Sequence, residues 1–178
     1  MAVPNKTYNN VINTLSRIGE YHEQIATVSV GDIFDMDINK ETKFVLMHIN
    51  PVNVSTGESE LVYNFQIFIM DLVSEKADWT EANFQSADRL SNEQEVLSQC
   101  LQIAVDIISM LRHSEHQSTQ DVDNINKPLY FTQGEQTLEP FNERFDNLLT
   151  GWVFSVSVLV ANDFNACTIP VEAGGSGE

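Results

Sequence analysis

The sequence predicts an α+β fold: an antiparallel or mixed β-sheet of about four strands with two main helices packed on one face. Three stretches carry the prediction. From Leu61 to Val73 apolar residues alternate as in a strand, with Leu61, Tyr63, Phe65, Ile67 and Ile69 on one side. From Ser91 to Arg112 they recur at helical spacing, and 100° steps gather Val96, Leu97, Cys100, Leu101, Ile103, Ala104, Ile107, Ile108, Met110 and Leu111 on about half the circumference. From Gly151 to Val160 alternation returns, with Trp152, Phe154, Val156, Val158 and Val160 set against Ser155 and Ser157.

The remaining elements follow in chain order. Asn5 to about Ile25 reads as an amphipathic helix through Tyr8, Val11, Ile12, Leu15, Ile18 and Ile25, and Gly19 marks a bend or a close approach within it. The segment Val28 to Ile38 carries Asp32, Asp35 and Asp37. Lys43 to Ile49 reads as a strand, and Asn53 to Glu60, with Ser55-Thr56-Gly57, suits a hairpin into the next. The chain turns polar and irregular from Ser74 to Leu90. Ser91 with Gln94 three places on forms a capping box for the main helix. His113 to Lys127 is polar and aperiodic and reads as a long loop. Leu129 to Phe131 fits a short strand, and Pro140 to Leu149 an irregular or helical connection. Residues 1–172 make one domain, and 173–178 (AGGSGE) a disordered tail.

The formal net charge of −17 is the main compositional fact, with 20 acidic against five basic residues after Pro51. It argues against nucleic-acid binding, which needs Lys and Arg to displace phosphate counterions. It fits a solvated acidic surface, or one that DNA passes without sticking, or one that imitates DNA. No apolar run has the length of a membrane span and no leader precedes the first helix, so neither secretion nor membrane insertion is expected. Cys100 and Cys167 form no framework and read as reduced thiols of a cytosolic protein.

Motifs for chemistry are weak. Asp35-Met-Asp37-Ile-Asn39 begins like a calcium loop, but Lys40 replaces the turn glycine and Leu46 stands where the bidentate acid belongs. His113 and His116 lack a third ligand and read as imidazoles at a helix end. His48 reads as a satisfied core or interface histidine and Cys100 as an inert buried thiol. Glu93 and Glu95 are helix-start carboxylates. No nucleophile elbow, phosphate loop, dinucleotide fingerprint or zinc helix is present. Catalytic, cofactor and metal residues are therefore expected to be none.

The main helix has a second face, Ser98, Gln99, Gln102, Asp106 and Ser109, that is polar yet nearly uncharged in a chain crowded with carboxylates. That face is the candidate subunit interface. In its element order the chain resembles the tail terminator or tail-completion proteins at the neck of tailed bacteriophages. The resemblance is carried by YNNVINTLSRI, FVLMHINPVNVS, LVYNFQIFIMDLV, LSNEQEVLSQCLQIAVDIISMLR and WVFSVSVLV, and covers Pro4 to Val160.

It implies a non-enzymatic virion protein that forms a ring, usually a hexamer. Such a ring meets tail-tube and neck or connector proteins and lets DNA through an acidic channel. It would be assembled in the bacterial cytoplasm. A head-closure or tail-tube subunit is the alternative within that class. Outside it, the charge suggests an acidic DNA-mimic inhibitor of a nucleic-acid-binding enzyme, and Asp32 to Asp37 a metal-dependent enzyme.

Overall fold

A computed structural model describes residues 7–33, 42–73, 92–118, 131–144 and 148–161. The elements in order are α1 (Thr7–Tyr21), β1 (Thr27–Val30), β2 (Leu46–Thr56), β3 (Glu60–Leu72), α2 (Glu93–Ser118), β4 (Phe131–Gln133), β5 (Leu138–Arg144) and β6 (Leu148–Ala161). Two helices pack against a mixed sheet of six strands, so the α+β prediction holds. The order across the sheet is β1-β2-β3-β6-β4, with β5 also paired to β6.

The helices share one face of the sheet because β3 and β6 present their long apolar rows there. Tyr63, Phe65, Ile67 and Ile69 of β3 and Phe154, Val156 and Val158 of β6 form one core. Val11, Leu15 and Ile18 of α1 and Val96, Cys100, Ile103, Ala104, Ile107 and Leu111 of α2 complete it. Burying each of the large side chains contributes about 1.5 to 3 kcal/mol, an upper bound because the unfolded chain already hides some of that area.

Gly19 is buried where α1 lies on the sheet, and a Cβ there would stand 2.5 Å from Met47 Sδ and 2.9 Å from Val28 Cγ2. Close approach therefore explains the glycine. A second tie fixes α2 to β6: Trp152 Nε1 donates to the Leu97 carbonyl at 2.8 Å.

The opposite face of the sheet divides in two. At one end Leu46, Phe68, Met70 and Leu149 form a smaller core, flanked by Ile33, Phe44, Phe141 and Val153, with the Phe68 and Phe141 rings edge to face at 5.4 Å. At the other end polar side chains join across strands. Asn50 donates to Gln66 at 3.3 Å, Asn64 to Asn53 at 2.7 Å, and Ser157 to Asn64 at 2.6 Å. The mixed face of β3 thus carries a small apolar cluster over one half and a hydrogen-bonded polar ladder over the other.

Several expectations need correction. The sheet has six strands where about four were expected, because two short ones escaped notice. β1 pairs with β2 in parallel, Thr27 against Leu46 through Val30 against Ile49. Pro140 to Leu149 is not a helical connection: β5 pairs with β6 from Leu138 against Phe154 to Arg144 against Leu148. β4 and β5 follow one another along the same side of β6. Between Gln133, opposite Ser157, and Leu138, opposite Phe154, four residues face two, so they form one edge strand broken by a bulge.

Gly134 enters that bulge at φ +77, which a residue with a Cβ adopts at a cost. Arg112 from α2 braces the bulge by donating to Gln136 Oε1 at 2.7 Å, and Gln136 donates to the Gly134 carbonyl at 3.2 Å.

Helix ends also differ. α1 stops at Tyr21, and Ile25 is buried beyond it in two tight turns closed by His22 N–H to Gly19 C=O and Ile25 N–H to His22 C=O. α2 runs on to Ser118, so the loop expected from His113 begins as helix. Val96 N–H bonds the Asn92 carbonyl, which sets Asn92 at the N-cap position. Ser91 of the predicted capping box lies outside the described residues. So do the irregular segment around Trp79 and Phe84, the start of the calcium-like loop, Cys167 and the tail.

Candidate functional site

The candidate interface of Ser98, Gln99, Gln102, Asp106 and Ser109 occupies the side of α2 turned away from the sheet. The opposite side of that helix holds Cys100, Ile103, Ala104, Ile107 and Leu111, all in the core. Helical spacing dictates the outcome: at 100° per residue those residues share one arc of the helix, and Ser98, Gln102 and Ser109 fall on the arc opposite. Ser98, Gln99, Gln102 and Ser109 are exposed.

Asp106 differs from the other four. Its Oδ2 takes a hydrogen bond from His22 Nε2 at 3.3 Å, and its Oδ1 takes one from Gln102 Nε2 at 2.9 Å. The His22 ring is oriented because its Nδ1 accepts the Gln24 backbone N–H at 3.3 Å, which leaves Nε2 to carry the proton. Asp106 therefore ties the end of α1 to α2 within the subunit. Ser109 turns its hydroxyl onto the Val105 carbonyl of its own helix at 2.8 Å.

Sequence reasoning missed Val105, which is 44% exposed in the midst of the neutral face. Ser98, Gln102, Val105 and Ser109 follow at steps of four, three and four, the spacing of a seam between helices. Assigning Val105 to neither face of the helix hid this signal, although the spacing itself was available.

The residues examined for chemistry fall elsewhere, and separately. His48 projects from β2 on the face away from the helices and is buried. Its Nε2 donates to the Gly31 carbonyl at 3.0 Å, since a carbonyl only accepts, and its Nδ1 accepts from Ser29 Oγ at 2.7 Å. Burial holds its pKa below the ordinary 6.5, against opposing pulls from the Gly31 carbonyl and the Asp32 charge. It is a satisfied core histidine in the neutral form. Cys100 is fully buried, and burial followed by the Asp71 charge pushes its thiol up to about 12. Such a thiol is no nucleophile at neutral pH.

Burial also raises the Asp71 pKa, partly offset by the Leu72 backbone N–H at 2.7 Å. Leu46, at the closing position of the calcium-like loop, lies in the smaller core. Among the described residues no three His, Cys, Asp or Glu side chains gather as a metal site. A shallow cavity of about 290 Å³ beside the bulge is lined by Gln66, Glu135, Thr137, Glu139, Val153, Phe154 and Ser155. Its two carboxylates belong to exposed residues of the edge strand. Compared with protein-family models and with curated protein sequences, the chain matches none.

Proposed function

We propose that this chain is a ring-forming structural protein of a tailed-phage virion, a tail terminator or tail-completion protein at the neck. On this reading it acts by position and carries no catalytic residue. One observation supports it above the others: the outward face of α2 is exposed and nearly free of charge, with Val105 at its centre, in a chain of net charge −17. A face that met only water would have no reason to exclude carboxylates from a stretch this long, whereas a face that meets another subunit does. The element order, helix, paired strands, long helix and late strand, supports it further. Copies arranged as a hexameric ring would leave other carboxylates to line a passage, where they repel DNA and let it slide. Tail-tube and connector proteins are the partners on this reading.

Mass photometry of the purified chain, alone and with the tail-tube protein, tests the proposal. A closed ring is expected, and Gln102→Arg, which sets an unpartnered charge in the neutral contact, should abolish the ring while leaving the chain folded. A chain that stays monomeric in both mixtures, or a ring indifferent to Gln102→Arg, would sink it. The charge of −17 also favours a DNA-mimic inhibitor. That reading predicts a monomer which co-purifies with a basic host enzyme and is released by salt.

A further inference from the structure

The two edges of the sheet are built differently. On the β6 side the edge strand is broken by the Gly134–Thr137 bulge and then carries Glu139 and Pro140, all devices that block pairing. On the other side, the free half of β2 holds Pro51 and a bulge between Pro51 and Asn53. β1 has none of these. Thr27-Val28-Ser29-Val30-Gly31 is uncharged, and Val30 is 45% exposed.

Its backbone offers bonds at regular places. In the parallel ladder with β2, Thr27 N–H reaches the Val45 carbonyl at 3.3 Å and Gly31 N–H the Ile49 carbonyl at 3.0 Å. Alternate residues therefore point inward, and the N–H and C=O of Val28 and Val30 point away from β2. No described residue bonds them. The strand is also held straight from behind, because His48 bonds both Ser29 Oγ and the Gly31 carbonyl. An extended strand is the ligand that such an edge fits.

We propose that a second copy of this chain docks along β1, antiparallel, so that the sheet continues across a two-fold axis at Ser29. Val28 then faces Val30 of the second copy and exchanges both backbone bonds with it, and the symmetric pair does the same. The charges at the two ends of the strand select this occupant and this direction. Lys43, whose carbonyl takes the Thr27 hydroxyl at 2.8 Å, stands exposed at one end, and Asp32 stands exposed at the other. Antiparallel pairing sets Thr27 across from Gly31 of the second copy, bringing Lys43 toward its Asp32 twice. A parallel alignment would set Lys43 against Lys43 and Asp32 against Asp32. The contact uses no residue of the α2 face, so it stands apart from the ring reading.

Sedimentation equilibrium of the full chain in the Gln102→Arg background reads this contact alone. A concentration-dependent dimer is expected there. Val30→Pro removes an outward N–H that β2 does not use, and should weaken the dimer by about tenfold or more. Lys43→Glu should weaken it by like-charge repulsion, and Lys43→Glu with Asp32→Lys should restore it, with circular dichroism confirming the fold of each variant. Should Val30→Pro fail to fold, the charge exchange alone decides. A chain monomeric at every concentration in that background overturns the proposal, as does a dimer that neither Val30→Pro nor Lys43→Glu affects.

Discussion

Gly19→Ala sets two known effects against each other within one methyl group. In a solvent-exposed helix, alanine stabilises relative to glycine by about 1 kcal/mol, through backbone entropy and better helix propensity. Here the added Cβ would stand 2.5 Å from Met47 Sδ and 2.9 Å from Val28 Cγ2, both far inside van der Waals contact. Met47 is fully buried between α1 and the sheet, so its sulfur has no solvent to swing into, and α1 must lift or the core must shift. Overpacking of this kind costs about 1 to 3 kcal/mol. Because the clash engages two neighbours, we place it in the upper half of that range. The net expectation is destabilisation by about 1 to 2 kcal/mol, a fall in Tm of about 2 to 8 °C for a chain of this size. Urea unfolding at constant m-value measures it. Met47→Val in the same chain shortens the obstructing side chain, and a double-mutant cycle should show the two changes partly compensating. If Gly19→Ala alone is as stable as the parent chain or more so, the close-approach account of this glycine is wrong.

Other expectations follow from the same structure. A Cβ on Gly151 would run into the Ile69 carbonyl and come within 2.8 Å of Met70 Cα, backbone atoms that cannot rotate away; Gly151→Ala should therefore cost more than Gly19→Ala, read from the same urea curves, and equal stability would refute the contact. His48, with its folded pKa held below 6.5, binds fewer protons when folded than when unfolded across the window between those two values. Its stabilising effect is complete above pH 6.5 and is lost as pH falls through that window, with a slope of at most about 1.4 kcal/mol per pH unit. Asp71, whose folded pKa is raised, works in the opposite sense: protonation favours the folded chain as pH falls toward the ordinary carboxylate value of 3.8. Ring-proton NMR separates the two, since the midpoint of the His48 titration should fall below 6.5; a midpoint at or above that value would contradict its buried, doubly bonded setting.

What could be read from the sequence was whatever periodicity reaches. β3, β6 and the apolar side of α2 are long and regular, and most of the residues expected in their core rows lie there, although Leu97 and Leu101 of α2 stand half-buried outside the core and Leu61, Trp152 and Val160 are only partly buried. Gly19 was marked as a bend or a close approach, and the structure selects the second. β1 was hidden because four residues, TVSV, carry too few alternations to register, and because its partner β2 begins 16 residues after the strand ends. β5 was hidden by Pro140 and its run of polar residues, which an edge strand tolerates and a central one would not. The polar end of α2 was read as loop because periodicity detects a buried face, and a helix can continue past the core without one. The tie from His22 to Asp106 joins residues 84 apart in the chain, and no local pattern announces such a pair.

The net charge of −17 and the neutral surfaces bear on one another. Two copies carrying that charge repel at long range, yet at physiological ionic strength the repulsion is screened beyond about 8 Å. What decides whether two copies can touch is therefore the charge within that distance of the contact, and the total matters far less. A carboxylate left inside a contact must give up its hydration, a cost of several kcal/mol that its own twin on a symmetric partner only increases. Two surfaces of this chain avoid that cost: Ser98, Gln102, Val105 and Ser109 along α2, and Thr27 to Gly31 along β1. Asp106 borders the first and is already engaged by His22 and Gln102, so its charge is partly satisfied before any neighbour arrives. Lys43 and Asp32 border the second with opposite signs at opposite ends, an arrangement that repels a copy in the wrong direction and attracts one in the right direction. A strongly acidic chain can thus remain soluble as a single copy and still associate, provided association is confined to the places from which its acids have been removed.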